Sequence, residues 1–391
     1  MHLATNFIFV VSQLLILIFG LYIERALAYG IITTFKNNLA GSGQVFSVFN
    51  HPNGVYYVGY NIFQVRLINS TTNEDTAVVG TGACCYGGDG GPALSATMHW
   101  AHDVYVTASG DIYFTETESR RIRYVNATGF ISTVAGTGNQ GYSATPTPAI
   151  NADLYLPRGL VLDSNENIYF TDYCAIRKVT RSTGMISTIA GAATDCSVSG
   201  DGGPAVNAKI NSAMFLDLDL DDNIIFADYH SQLIRKISKQ TGIIDTIVSG
   251  IGCQPVGVSV DRSTNDVYFS EACSRVLKAS KKYNSDIYAP FMVVAGGNNG
   301  AGYSGDGGDA NSAKINAIAN IDFNSSSPNG AFLIADRFNH AIRVVTNPCE
   351  TGSEIFGSDC WCSNGYYSDN GQAPCNQCDF GSYDDKIGGS I

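Results

Sequence analysis

One pattern recurs six times along the chain and dictates what it can fold into. A short apolar run, usually ending in an acid, reads VYYVG at residues 55–59, IYFTE at 112–116, IYFTD at 168–172, IIFAD at 224–228, VYFSE at 267–271 and FLIAD at 332–336. The end points of these runs lie 57, 56, 56, 43 and 65 residues apart. Self-similarity at such a period marks an array of like supersecondary units. Each run carries large apolar or aromatic side chains at both odd and even positions. A strand buried on both faces lies between two other layers, and in a propeller the neighbouring blades supply them.

The remaining strands fall into place around these runs. A first strand precedes each copy, at 45–50, 103–107, 159–163, 215–221, 257–261 and 319–323, and a third follows, at 62–68, 122–125, 176–179, 233–237, 276–279 and 341–345. The fourth reads ISTVAG at 131–136, with relatives at 76–80, 186–191, 244–250 and 292–296. Only five fourth strands follow a third; the stretch IITTF at 31–35 resembles the missing one. The expected fold is therefore all-β, a six-bladed β-propeller over residues 29–347 closed by its N-terminal strand, which leaves no free sheet edge.

Two flanking segments complete the chain. Residues 7–23 are apolar, and Ala26-Leu27-Ala28 follows. This reads as a secretory signal peptide over 1–28 with cleavage after Ala28. A retained signal anchor is the alternative, because no Lys or Arg precedes the run. No later segment is long and apolar enough to span a bilayer. Residues 348–391 form a small disulfide-rich segment holding five of the eleven cysteines, an odd number that suggests an incomplete last module. The formal net charge of −12 argues against nucleic acid or an anionic membrane as the main partner.

The repeat resembles the NHL-repeat family of β-propellers, in particular the extracellular type found in teneurins. ISTVAGTG at 131–138, SGDGGPA at 199–205, RGLVLD at 158–163, NIYFTD at 167–172 and AIRKV at 175–179 carry the likeness, which covers about residues 30–346. Propellers of this kind bind protein, RNA or carbohydrate, and some are enzymes, so the likeness implies a fold more sharply than a function. The tail resembles the end of an EGF-like module around Cys360-Trp361-Cys362. Around Cys375 and Cys378 it resembles the start of a TNF-receptor-like or ephrin-receptor-like repeat.

Antiparallel alternation assigns every loop to a face. Loops between blades and loops between second and third strands share one face, termed the top. Cys174, Cys196, Cys253 and Cys273 all fall there, and the expected bridges are Cys174–Cys196 and Cys253–Cys273, worth about 3 kcal/mol each by chain entropy. The pairing of Cys84 and Cys85, also on top, is left open. The sequons at Asn69, Asn126 and Asn324 all fall on the opposite, bottom face. Glycans there would leave the top free for recognition.

Candidate ligand-binding residues follow from the same geometry. His102 and Arg158 are candidates at the channel mouth, where Met214, Val256 and Ala319 hold the same position in blades 4 to 6, and Tyr173, Tyr229, His230 and Arg337 are candidates in top loops. Tyr and Arg are common interface anchors. One channel histidine is not a zinc site, unlike the three that hold zinc in an NHL-like lyase. The GDGG turns, with Asp89, Asp201 and Asp306, offer one carboxylate each without a D-x-D spacing, so they read as structural turns that open short helices at 92–98 and 204–210 rather than as Ca²⁺ loops. An acid ending the second strand and an Arg in the third recur as Glu116 with Arg123, Asp172 with Arg177, Asp228 with Arg235 and Asp336 with Arg343, which suggests a structural ion pair in each hairpin. The expected function is non-enzymatic binding of a protein or glycan through the top face, outside the cell, without a cofactor or metal. A channel-site enzyme and a structural spacer are the alternatives.

Overall fold

The computed structural model describes residues 30–346 except 38, 40–42, 144–145, 193–194, 283–286, 298–299 and 324–330, together with the backbone of four short strands in the tail. The signal sequence, Asn324 and most of the Cys-rich segment lie outside the described residues. Of the tail, Ser353–Phe356 pairs with Asp359–Cys362 and Tyr366–Tyr367 with Asn376–Gln377.

Six antiparallel sheets, each built on four main strands, make the blades. Blade 1 comprises Gln44–His51, Gly54–Tyr60, Ile62–Asn69 and Asp75–Val79. Blades 2 to 5 start at Asp103, Pro157, Ala213 and Pro255 and repeat the same order. Blade 6 takes Ile318–Phe323, Phe332–Asp336 and Ala341–Thr346 from the end of the chain, and its fourth strand, Ile31–Lys36, from the beginning. Ile31 stands opposite Thr346 and Thr34 opposite Arg343 in that pairing.

The second strands show why these sequences form blades. Within each, alternate side chains enter the two flanking interfaces, as the two-fold period of a strand requires. Phe114 packs between blades 1 and 2 while Tyr113 packs between blades 2 and 3. Phe226 and Ile225, Phe269 and Tyr268, Phe332 and Leu333 divide in the same way, so that each seam between blades has its own apolar cluster. Where inner strands approach most closely, a side chain has no room. A Cβ on Gly159 would lie 2.7 Å from the Cα of Phe215 in the next blade, and one on Gly257 would lie 2.8 Å from the Cα of Asn320.

The ion pairs are buried and more elaborate than an acid–arginine hairpin. Arg123, Arg177, Arg235 and Arg343 have fully buried side chains. Their second-strand partners lie at 2.7 Å (Glu116), 3.5 Å (Asp172), 3.4 Å (Asp228) and 3.9 Å (Asp336), and these acids are equally buried. Three of the arginines also receive the aspartate of the GDGG turn in the preceding linker: Asp89 at 2.6 Å from Arg123, Asp201 at 2.6 Å from Arg235 and Asp306 at 2.7 Å from Arg343. The GDGG carboxylates thus serve a structural end, as expected of these turns, by meeting the buried guanidinium of the following blade. A dry guanidinium has five donors to satisfy, and one carboxylate does not suffice. In blade 3, which lacks GDGG, Arg177 has the tyrosine face without a turn aspartate, Tyr142 at 4.6 Å, of the kind that Tyr86 and Tyr303 also present to Arg123 and Arg343.

The linker helices are also shorter than expected. Pro92 and Pro204 lead into single 3-10 turns, Ala93–Ser95 and Ala205–Asn207, and the chain then leaves in extended conformation. Burial explains this: Met98 and Ile210 are fully buried core residues, reached by a straight path toward the inner strand. Just before each turn the linker pairs with the outer strand of the next blade, as Gly203 does with Ile244 and Gly308 with Ile32, covering what would be an exposed sheet edge.

Two outcomes test this architecture. Deleting residues 30–35 removes the buried Ile32 and bares an edge of blade 6, and is expected to lower unfolding free energy in urea by more than about 3 kcal/mol. Replacing Arg235 by Met strands two carboxylates and should cost about 3–5 kcal/mol, whereas the same change at Arg181, half-exposed and paired only with Glu166, should cost less than about 1 kcal/mol.

Candidate functional site

The inner strands line a central channel that is divided into two chambers. At the waist the rings of Phe46, His102 and Phe215 follow one another across the channel, with centroids 4.9 Å and 5.2 Å apart. The top chamber, about 400 Å³, is floored by Phe46, Met214, Phe215, Val256 and Ala319 and rimmed by His102, Arg158, Tyr229, His230 and Arg337. The topology accounts for this convergence. His102 and Arg158 stand where linkers enter inner strands, and Tyr229, His230 and Arg337 sit in hairpins that overhang the same opening.

Of the six residues expected to contact a ligand, the structure brings five to one cavity. Tyr173 is the exception. It adopts a left-handed backbone (φ 61°) at its hairpin tip, and its ring stacks on Tyr155 at 4.9 Å, beside the rim rather than in the chamber. Its carbonyl accepts a bond from Ala213 N–H at 2.9 Å, so its main visible work is to join blades 3 and 4.

The electrostatics of the top chamber are one-sided. Arg158 donates to Ser212 Oγ at 3.3 Å and to Met214 Sδ at 2.7 Å. Arg337 donates to Gln44 Oε1 at 2.8 Å and lies over the ring of Phe46 at 4.7 Å. Neither guanidinium has a carboxylate partner among the described residues. Burial lowers the pKa of both. Burial, with repulsion from Arg158 and Arg337, holds His102 well below the usual imidazole value, so it is neutral at physiological pH. Its Nδ1 is buried without a hydrogen-bond partner.

The bottom chamber is acidic, and the sequence reading passed over it. It is lined by Asp103, Asp217 and Asp322 on the inner strands of blades 2, 4 and 6. These carboxylates bond sideways into the next blade: Asp103 accepts from Leu160 N–H at 2.8 Å, Asp217 from Val260 N–H at 2.8 Å and Asp322 from Asn50 N–H at 2.6 Å. Hydroxyls join the other seams. Ser47 donates to Asp103 at 2.5 Å, Thr171 to the carbonyl of Met214 at 2.7 Å, and Phe323 N–H to Ser259 at 2.9 Å. The ring is thereby stitched at every seam around its axis. An isolated acid in an otherwise apolar inner strand, as in AMFLDL or IANIDF, was the available signal.

The top loops are pinned by disulfides. Cys174 is bonded to Cys196 and Cys253 to Cys273, with Cα atoms 5.3 Å and 6.1 Å apart, and Cys84 is bonded to its neighbour Cys85. Among the described residues, the one group of three ligating side chains close enough to meet a common ion is Cys84, Cys85 and His99, outside the chamber. On the bottom face, Asn69 and Asn126 use Oδ1 to hold their turns, accepting from Thr71 N–H at 2.8 Å and from Thr128 N–H at 3.1 Å.

No family model matches the chain. It is similar to teneurin-1 of Gallus gallus, at 27% identity over 300 residues that cover 63% of this chain and 11% of the relative. Teneurin-3 of Mus musculus matches at 27% over 301 residues, 63% of this chain and 10% of the relative, and teneurin-1 of Homo sapiens at 24% over 349 residues, 75% and 12%. The chain spans about a tenth of the length of the curated relatives it matches. Among solved structures, a protein of unknown function from Bacteroides thetaiotaomicron superposes with a TM-score of 0.57 at 15% identity, covering 81% of this chain and 75% of that one. An auxiliary nutrient binding protein from the same organism does so at 0.55 and 13%, covering 81% and 76%. These likenesses support a propeller family, and a propeller similar to part of the teneurins fits an interaction module. No described helix is long and apolar enough to cross a membrane.

The acidic chamber sets a pH dependence. Burial pushes Asp103 up to about 7 and Asp322 up to about 8 from 3.8. Burial also raises Asp172 and Asp336 to about 6. The folded chain therefore keeps protons that the unfolded chain releases above pH 3.8, so this stabilisation is full below about pH 3.8, declines from there as the unfolded carboxyls ionise, and is gone once pH has passed the folded values of about 6 to 8. Urea midpoints should fall across that window. The double variant Asp103→Asn, Asp322→Asn should flatten the upper part of the profile, and an unchanged slope would contradict the assignment.

Proposed function

We propose that the chain is an exported, non-enzymatic binding module that recognises a protein or glycan through the top face of its propeller, in a secreted or cell-surface setting. The observation that carries this reading is the one-sided arrangement of the molecule. Cationic and aromatic side chains converge on a concave opening on one face, and two disulfides hold the surrounding loops in place before any partner arrives. Pre-set loops lower the ordering cost of association. The described sequon asparagines, Asn69 and Asn126, project from the opposite face, where bulky glycans would not obstruct it. Three disulfides suit an oxidising compartment, as does the similarity to teneurins. Binding rather than catalysis accords with a mouth lined mainly by arginine, tyrosine and apolar side chains, the one close group of ligating side chains among the described residues, Cys84, Cys85 and His99, lying outside it.

A binding screen against arrays of ectodomains and glycans tests this, using purified protein and two sets of variants. Top variants Tyr229→Ala and Arg337→Glu should abolish capture of a hit, with losses of at least about tenfold. Bottom variants Arg181→Glu and Lys239→Glu should leave it unchanged. Loss with the bottom set alone would overturn the reading, as would occupied glycans on the top face.

A further inference from the structure

We infer that the top chamber is a carboxylate site: it takes a small organic acid, or the C-terminal residue of a polypeptide, whose anionic head meets Arg158 and Arg337 and whose apolar or aromatic body rests on Phe46, Met214, Phe215 and Val256. The four third-strand arginines show how this fold satisfies a buried guanidinium: Arg123, Arg235 and Arg343 each receive two carboxylates, and Arg177 receives one and a tyrosine face. Arg158 and Arg337 are treated differently. Their neutral partners, a serine hydroxyl, a methionine sulfur and a glutamine oxygen, leave both charges uncompensated inside the same cavity. Removing charge from water without a counter-charge is costly, and a chain that neutralises its structural arginines leaves these two open to an anion from outside.

The rest of the chamber selects the kind of anion. Two planar guanidiniums match the two oxygens of a carboxylate. The floor below them is apolar and aromatic, so a bare inorganic ion would leave it unfilled. About 400 Å³ suits a molecule of roughly amino-acid to drug size. Neutral His102, with its unpartnered Nδ1, adds one polar contact at the base of the site without adding repulsion or charge. The acids of the channel do not compete, because Asp103, Asp217 and Asp322 are engaged in seam bonds and line the other chamber. This inference concerns the chamber alone and stands whether or not a macromolecule docks on the rim.

Isothermal titration with paired probes tests it. The first pair is 3-phenylpropionate and its uncharged amide; the second is a short peptide ending in a free phenylalanine carboxylate and the same peptide amidated. In at least one pair the acid should bind tighter than the amide by about tenfold or more, and Arg158→Gln and Arg337→Gln should each remove about tenfold to a hundredfold of that affinity. A response confined to the first pair identifies a free acid as the ligand class, and one confined to the second a polypeptide terminus. Acid and amide binding alike, neither acid binding up to about 10 mM, or acid binding that survives both substitutions would overturn the assignment. Thermal melting without ligand gives an independent readout. Arg158→Gln should melt no lower than the parent, because no carboxylate is left stranded; a marked fall would show that Arg158 serves the fold instead.

Discussion

A fully buried guanidinium in each of four blades is the constraint on which the ring depends. A third-strand arginine in the dry interior holds its hairpin partner on one side and the carboxylate of the incoming linker on the other. The linker is the only covalent path from one blade to the next, so this clamp fixes where each new blade begins. Arg235 illustrates the economy of the arrangement: Asp201 accepts from both Nε and Nη2, Asp228 accepts from Nη1, and carbonyls of Lys209 and Ser199 take the remaining donors. Apolar packing alone would tolerate many blade angles. A network in which each member has a fixed partner specifies one.

Blades 1 and 5 reach the same end with other residues. Arg66 has Gly59 where an acid would be and turns to Asp75 in the outer strand at 2.9 Å, and Glu271 has Leu277 where the arginine would be and takes Arg275 instead at 2.5 Å. Blade 5 lacks the central arginine and has a disulfide between its leading loop and hairpin, Cys253–Cys273. Blade 3, where the leading linker carries no GDGG aspartate and Arg177 has the poorest hydrogen bonds, has a bridge of its own, Cys174–Cys196, from its hairpin to the linker that follows it. Bridges thus occur on two of the blades whose ionic clamp is weakened, which gives them a local structural reason as well as a compartmental one.

Much of this was legible in the chain because it is local. Two-faced burial of each second strand, the acid–arginine hairpins, and the bridges between loops about twenty residues apart all follow from period-two alternation and counting. Counting also placed His102 and Arg158 at one mouth. What escaped depends on contacts across a seam. Asp89, Asp201 and Asp306 meet arginines 34 to 37 residues away, and nothing in GDGG itself says that the carboxylate is turned toward the following blade. Tyr173 escaped because a left-handed backbone at one hairpin tip redirects its ring toward Tyr155. The channel acids escaped because their partners are backbone N–H groups, which leave no trace in a sequence.

The two chambers put the same physics to opposite uses. Below the waist, burial raises carboxylate pKa values, the backbone bonds across the seams pull them partly back, and the groups are consumed by those seams. Above it, burial lowers the affinity of Arg158, Arg337 and His102 for protons, and among the described residues the two arginines meet neutral partners and no carboxylate. Stability alone would favour apolar side chains at His102 and Arg158, since Met214, Val256 and Ala319 fill the equivalent places on other blades. Polar groups held where an apolar one fits, and guanidiniums given neutral partners in place of a carboxylate, mark the chamber as a place where stability has been exchanged for recognition.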